Sequence, residues 1–104
     1  MDYLVVQIVR FVDAHQPGFV ACEFVDASGS SHTIIDKVPV LSHEDLDASS
    51  TYPKPGIVGC EVVARWRDKD GRELVRVNTE RPWCIESTDG VSEFVVLANQ
   101  LESA

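Results

Sequence analysis

Apolar residues recur along this chain in short runs, broken by Gly-, Pro-, Ser- and Asp-rich segments. Within most runs they alternate with polar residues at period two, the spacing of a half-buried strand rather than of a helix. The first run spans 3–13. It places Tyr3, Val5, Val9 and Phe11 on one face and Leu4, Val6, Ile8 and Val12 on the other. With both faces apolar, it reads as a central strand or one lying where a sheet closes on itself. "HQPG" (15–18) turns the chain into a second strand over 19–26, with Val20, Cys22 and Phe24 together. "SGSS" (28–31) leads to a third over 32–38, and Pro39, unable to donate to a ladder, ends it or confines it to an edge.

The segment "LSHEDLDASSTYPKPG" interrupts the pattern. Ser42 followed by Asp45 is a weak capping box, which predicts at most a turn or two of helix at 43–48. Pro53, Pro55 and Gly56 predict a stiff connector turning at 55–56. A fourth strand over 57–67 puts Val58, Cys60, Val62, Ala64 and Trp66 inside and Glu61, Val63, Arg65 and Arg67 outside. "DKDG" (68–71) is then a four-residue hairpin loop leading to a strand over 72–78. "DG" (89–90) is a two-residue turn joining strands over 83–88 and 91–98, with Trp83, Ile85, Phe94 and Val96 facing inward.

The expected fold is therefore all-β: a six- to seven-stranded antiparallel barrel or tight sandwich with at most one short helix. One barrel-like domain, 1–104, accounts for the whole chain, since 104 residues suffice for one core. The strand order, with a connection after the third strand, partly resembles the OB-fold, and more generally the small barrels attached to translation GTPases. No residue motif accompanies either resemblance, so neither implies a site.

Charge changes the picture more than composition does. The net charge is −8, yet residues 65–81 hold six bases against four acids, a local +2. The rest of the chain holds three bases against thirteen acids, a balance of −10. Such a surface repels polyphosphates and anionic membranes at long range and attracts basic partners. The start of the chain carries Asp2, Gln7 and Arg10, which break any signal-like apolar run, and no stretch approaches a membrane span. Three widely spaced cysteines, Cys22, Cys60 and Cys84, fit neither a disulfide framework nor paired metal ligands. These features predict a cytoplasmic protein with free thiols and no cofactor.

Few constellations survive a spacing test. "DKDG" with Glu73 looks like part of a calcium loop, but aligning Gly71 with the sixth position puts Trp66 first and Val77 twelfth, and neither ligates calcium. No phosphate-binding glycine motif occurs. "SHEDLD" (42–47) gathers His43 and three carboxylates that could build a small enzyme or receive a metal, but neighbours in sequence rarely converge, so no catalytic or metal residues are assigned. With the loop at 68–71, Arg67 would face Arg72, and Arg65, Arg67, Arg72 and Arg76 would form one outer stripe. That stripe is either neutralised by Glu86 and Glu93 from the next hairpin or open to an external anion.

The leading expectation is a non-enzymatic protein-interaction module with segregated surface charge. One version is an acidic inhibitor of a basic protein, as an immunity protein is of a toxin. The loop carrying His43, Glu44, Asp45 and Asp47 is the segment offered to the partner. The alternative is an OB-like barrel binding an anion or single-stranded nucleic acid through the four arginines, which the acidic balance disfavours. The chain is expected to be a monomer, or a homodimer paired through an edge near Pro39.

Overall fold

The computed structural model describes residues 1–103. The alternating runs form seven strands: β1 (Asp2–Asp13), β2 (Phe19–Val25), β3 (Ser31–Lys37), β4 (Lys54–Arg67), β5 (Glu73–Asn78), β6 (Glu93–Leu97) and β7 (Leu101–Ser103). They make one antiparallel sheet in the order β3-β2-β1-β4-β5-β6, with β7 also paired to β1. The sheet curls into an open half-barrel with a single short helix, α1 (Val38–Leu41). No helix among the described residues is long and apolar enough to cross a membrane.

The curl comes from stagger. The first half of β1 pairs with β4 (Leu4 with Val58, Ile8 with Lys54), and its second half pairs with β2 (Ile8 with Cys22, Phe11 with Val20). β4 does the same, giving residues 54–60 to β1 and 61–67 to β5. Offset pairing of this kind is what closing a sheet requires. The concave face holds the core: Leu4, Val6, Ile8, Val20, Cys22, Phe24, Ile34, Val58, Cys60, Val75, Val77, Phe94 and Val96, joined by Val38, Leu41, Leu46 and Ile85 from the connections. Each such aliphatic contributes about 1.5–3 kcal/mol by leaving water.

Several expectations are corrected. A bulge between Ile8 and Arg10 shifts the alternation of β1, so Phe11 packs towards the core while Val12 is exposed. The helix begins five residues earlier than expected, at Val38 rather than 43. Pro39 presets its first turn, and Val38 and Leu41 both bury. Residues 43–48 are irregular because local side-chain bonds compete with helix. The Ser42 Oγ accepts from the Glu44 N–H at 3.0 Å, and Asp47 Oδ1 accepts from the Ser49 N–H at 2.8 Å. Positions 55–56 are strand, not turn: Pro55 opposes Gln7 and Gly56 opposes Val6. The proline is tolerated because this half of β4 has a ladder on one edge only.

The seam between β3 and β6 carries no ladder. It is closed from the loops. The Ala27 N–H donates to Val95 O (2.9 Å), Gln100 Nε2 to Val25 O (2.9 Å) and the Thr88 N–H to Thr33 O (2.8 Å). Phe24 and Phe94 meet edge to face, with centroids 5.0 Å apart.

Gly56 is where α1 packs down onto β4. An added Cβ would lie 2.6 Å from Ile8 Cγ1 and 2.9 Å from Leu41 O. Gly56→Ala is therefore expected to cost about 1–3 kcal/mol in urea unfolding. An unchanged midpoint would show that the helix is not seated there.

Candidate functional site

The opposed arginine stripe does not form. β4 and β5 are joined by a three-residue turn, 69–71, closed by Asp68 and Arg72: the Asp68 N–H donates to Arg72 O and the Gly71 N–H to Asp68 O (both 3.0 Å), with Gly71 at φ +83°. Arg67 thus opposes Glu73, Trp66 opposes Leu74, and Arg65 opposes Val75. A bulge between Val62 and Ala64 adds a second offset, which puts Ala64 opposite Arg76. Arg65 and Arg67 therefore stand on one side with Glu73, and Arg72 and Arg76 on the other with Trp66. Three of the four are occupied within the molecule. Arg67 bonds Glu73 (2.8 Å), Arg72 bonds Asp68 (2.8 Å) and Ala27 O (3.2 Å), and Arg76 lies 3.7 Å from Glu93 and 5.5 Å from the Trp66 ring. Of the four, Arg65 alone has no ion pair among the described residues. Glu93 meets an arginine as one reading expected, whereas Glu86 forms none of these pairs. Trp66, expected inside, is 37% exposed because the offset turns it outward.

The second hairpin repeats the lesson. The Ser87 N–H donates to Val91 O (2.7 Å) and the Gly90 N–H to Ser87 O (2.9 Å), again a three-residue turn, and residues 83–88 are not a strand. Cys84 adopts φ +54°, the left-handed region, which reverses the chain between Trp83 and Ile85. Ile85 enters the core at 1% exposure, but Trp83 goes outside at 44%.

Trp83 lies over Gly59 of β4, where an added Cβ would sit 2.7 Å from the indole. Its ring is 6.3 Å from that of Tyr3, the residue opposite Gly59 on β1. Two residues along the same faces, Val5 opposes Ile57, also on the convex side. Beyond them the loop after α1 closes a groove of about 230 Å³ lined by Val5, Leu41, Ser42, His43, Glu44, Pro55, Gly56, Ile57 and Glu102. The result is a continuous apolar strip, Trp83–Tyr3–Val5–Ile57, running into a groove. Three acids border it: Glu102 on β7, Glu61 on β4, which lies 4.0 Å from Arg81, and Glu44 on the loop, paired with Lys54.

Of the loop residues expected to meet a partner, His43 and Glu44 line this groove, while Asp45 does not. Asp47 instead braces the loop. It accepts from the Ser49 hydroxyl (2.6 Å), which lowers its carboxyl pKa, and its carbonyl accepts from the Tyr52 hydroxyl (2.8 Å). Lys54 bonds Glu44 at 3.0 Å. The members missing from the sequence reading, Trp83, Tyr3 and Glu102, had one available signal: the outer face of β1 is apolar and needs a cover.

A second polar cluster sits at the mouth of the half-barrel. Asp26 Oδ1 accepts from the Ser28 N–H, the Ser28 hydroxyl and the Ser30 N–H, and Oδ2 pairs with His32 Nε2 at 2.7 Å. The His32 ring packs against Phe24 and Phe94. This arrangement ties down the tip that seals the seam. Burial by itself raises the Asp26 carboxyl, but the His32 bond and then the Ser28 and Ser30 donors outweigh it and bring it to about 2. The two buried thiols stay protonated at neutral pH: burial pushes Cys22 up to about 12 and Cys60, near Asp2, up to about 11. Among the described residues, no group of three or more His, Cys, Asp or Glu is arranged to hold a metal ion.

No protein-family model, curated protein or solved structure matches the chain.

Because the folded Asp26 carboxyl titrates below its ordinary value of 3.8, its stabilisation is full above that value and is lost as pH falls towards about 2. Asp26→Asn should be less stable at neutral pH by on the order of 1 kcal/mol, and should lose less than the parent on acidification from pH 4 to 2. Unfolding midpoints measured across that window check this, and parallel profiles for the two proteins would refute it.

Proposed function

We propose that this protein is a non-enzymatic protein-interaction module that presents the convex face of β1 and β4 to a basic partner. The observation that carries this reading is the exposed indole of Trp83, laid over Gly59 beside Tyr3 and continuous with the Val5–Ile57 groove. Binding energy at protein interfaces concentrates in a few large aromatic anchors surrounded by a polar rim. Here the anchors are Trp83 and Tyr3, and the rim carries Glu102, without a counter-charge among the described residues, beside the Glu61–Arg81 and Glu44–Lys54 pairs. The balance of −10 outside residues 65–81 extends that acidity into a long-range field, which speeds encounter with a positively charged protein and weakens as salt is raised.

The strip is also preorganised. Its floor is a β-ladder, and its loop wall is braced by Asp47, Tyr52 and the Lys54–Glu44 pair, so little ordering is left for the moment of binding. An acidic inhibitor of a basic enzyme, in the manner of an immunity protein, is the specific form that these features suit. The protein then works by covering a cationic surface, and the partner's basic groups meet the rim.

Capture of the partner from the native lysate, compared between the parent, Trp83→Ala and Trp66→Ala, tests the reading. Trp83→Ala should weaken capture by at least about 30-fold, the scale of a hot-spot aromatic, with its urea midpoint little changed. Trp66→Ala should bind as the parent does. Undiminished capture by Trp83→Ala, or equal loss in Trp66→Ala, would overturn the assignment of the face.

A further inference from the structure

The groove beside the aromatic strip has a shape and charge that narrow what it can hold. Its floor is aliphatic: Val5 and Ile57 from the paired strands, Leu41 from the end of α1, and Pro55. Its only ionisable wall groups are Glu44, Glu102 and His43. The Glu44 carboxylate shares its charge with Lys54 at 3.0 Å, whereas Glu102, exposed on β7, has no cationic partner among the described residues. An apolar slot flanked by two carboxylates, one of them without a counter-charge, fits a side chain that is apolar along its length and cationic at its end. A purely apolar group would leave Glu102 partly desolvated without compensation, and an anionic one would meet like charge. Only arginine and lysine combine a methylene stem with a terminal cation.

We infer that the groove receives one arginine or lysine side chain, its stem along Val5, Ile57 and Pro55 and its head group at Glu102, with Glu44 secondary. This rests on the reading of the convex face as the contact surface for a basic protein, and it names the residue type that the groove selects from that partner. The Trp83 anchor supplies affinity at one end of the strip, and the groove supplies charge selection at the other.

N-acetyl-arginine amide and N-acetyl-lysine amide, titrated into the isotope-labelled protein, are the probes, with N-acetyl-norleucine amide as the uncharged control. Either cationic probe should shift the backbone amides of Val5, Gly56, Ile57 and Glu102, with dissociation constants on the order of millimolar. The larger shift decides between guanidinium and ammonium. Glu102→Gln should weaken this binding about two- to fivefold, the range of an exposed ion pair, and raised salt should do the same. Equal shifts from norleucine, shifts confined to other residues, or no shift at all would each overturn the inference. Failure here alongside loss of partner capture in Trp83→Ala would remove the groove assignment and leave the interaction reading standing. Failure together with undiminished capture would remove both.

Discussion

Everything in this fold hangs on β1, a strand whose two edges and two faces are all used. β4 and β7 flank its first half and β2 pairs its second, so the sheet has no other strand on which three neighbours converge. Its inner residues, Leu4, Val6 and Ile8, sit at the centre of the core. Its outer residues Tyr3 and Val5 are also apolar, which a strand open to water on that side would not require. The molecule answers part of that demand itself by laying Trp83 over Gly59 beside Tyr3. The answer is incomplete, since Trp83 stays 44% exposed and the groove at Val5 and Ile57 lies open. Function is proposed at the place where the fold leaves its own central strand partly uncovered.

The charge distribution fits the same division. The positively biased hairpin of β4 and β5 is largely self-contained: Arg67 is held by Glu73, Arg72 by Asp68, and Arg76 lies by Glu93 and over Trp66, which leaves Arg65 alone of the four without an ion pair among the described residues. Exposed pairs of this kind contribute little stability each, but they occupy the guanidinium groups and fix the hairpin's side chains. The convex face differs: around its apolar strip Glu61 and Glu44 are paired with Arg81 and Lys54, and Glu102 has no cationic partner among the described residues. In the proposed reading, long-range attraction and short-range contact are directed at the same kind of partner.

The strand pattern was legible because period-two alternation survives wherever no residue is inserted. β2 shows this, with Val20, Cys22 and Phe24 all buried as the pattern predicts, and so does β1 up to Ile8, before its bulge, with Leu4, Val6 and Ile8 buried. The site was not legible because it depends on single-residue offsets that alternation cannot register. Gly71 and Gly90 each occupy the third position of a three-residue turn rather than the end of a longer or shorter one. The added bulge between Val62 and Ala64 then carries Trp66 outward. Trp83 and Ile85, two apart, look like one face of a strand. The left-handed backbone at Cys84 puts them on opposite sides, and nothing about a cysteine announces such a conformation. The loop after α1 was expected to meet a partner through its acids; in the structure Ser42, His43 and Glu44 form one wall of the groove over Val5 and Ile57.

The central claim is that the uncovered side of β1 and β4 is where the partner sits. Amide hydrogen exchange on the complex isolated with its native partner tests it most directly, peptide by peptide, against the free protein. The account predicts added protection over residues 3–5, 57–59 and 81–83, with the 65–76 hairpin unchanged. Protection confined to the 65–76 hairpin, with the convex face exchanging as in the free protein, would contradict it.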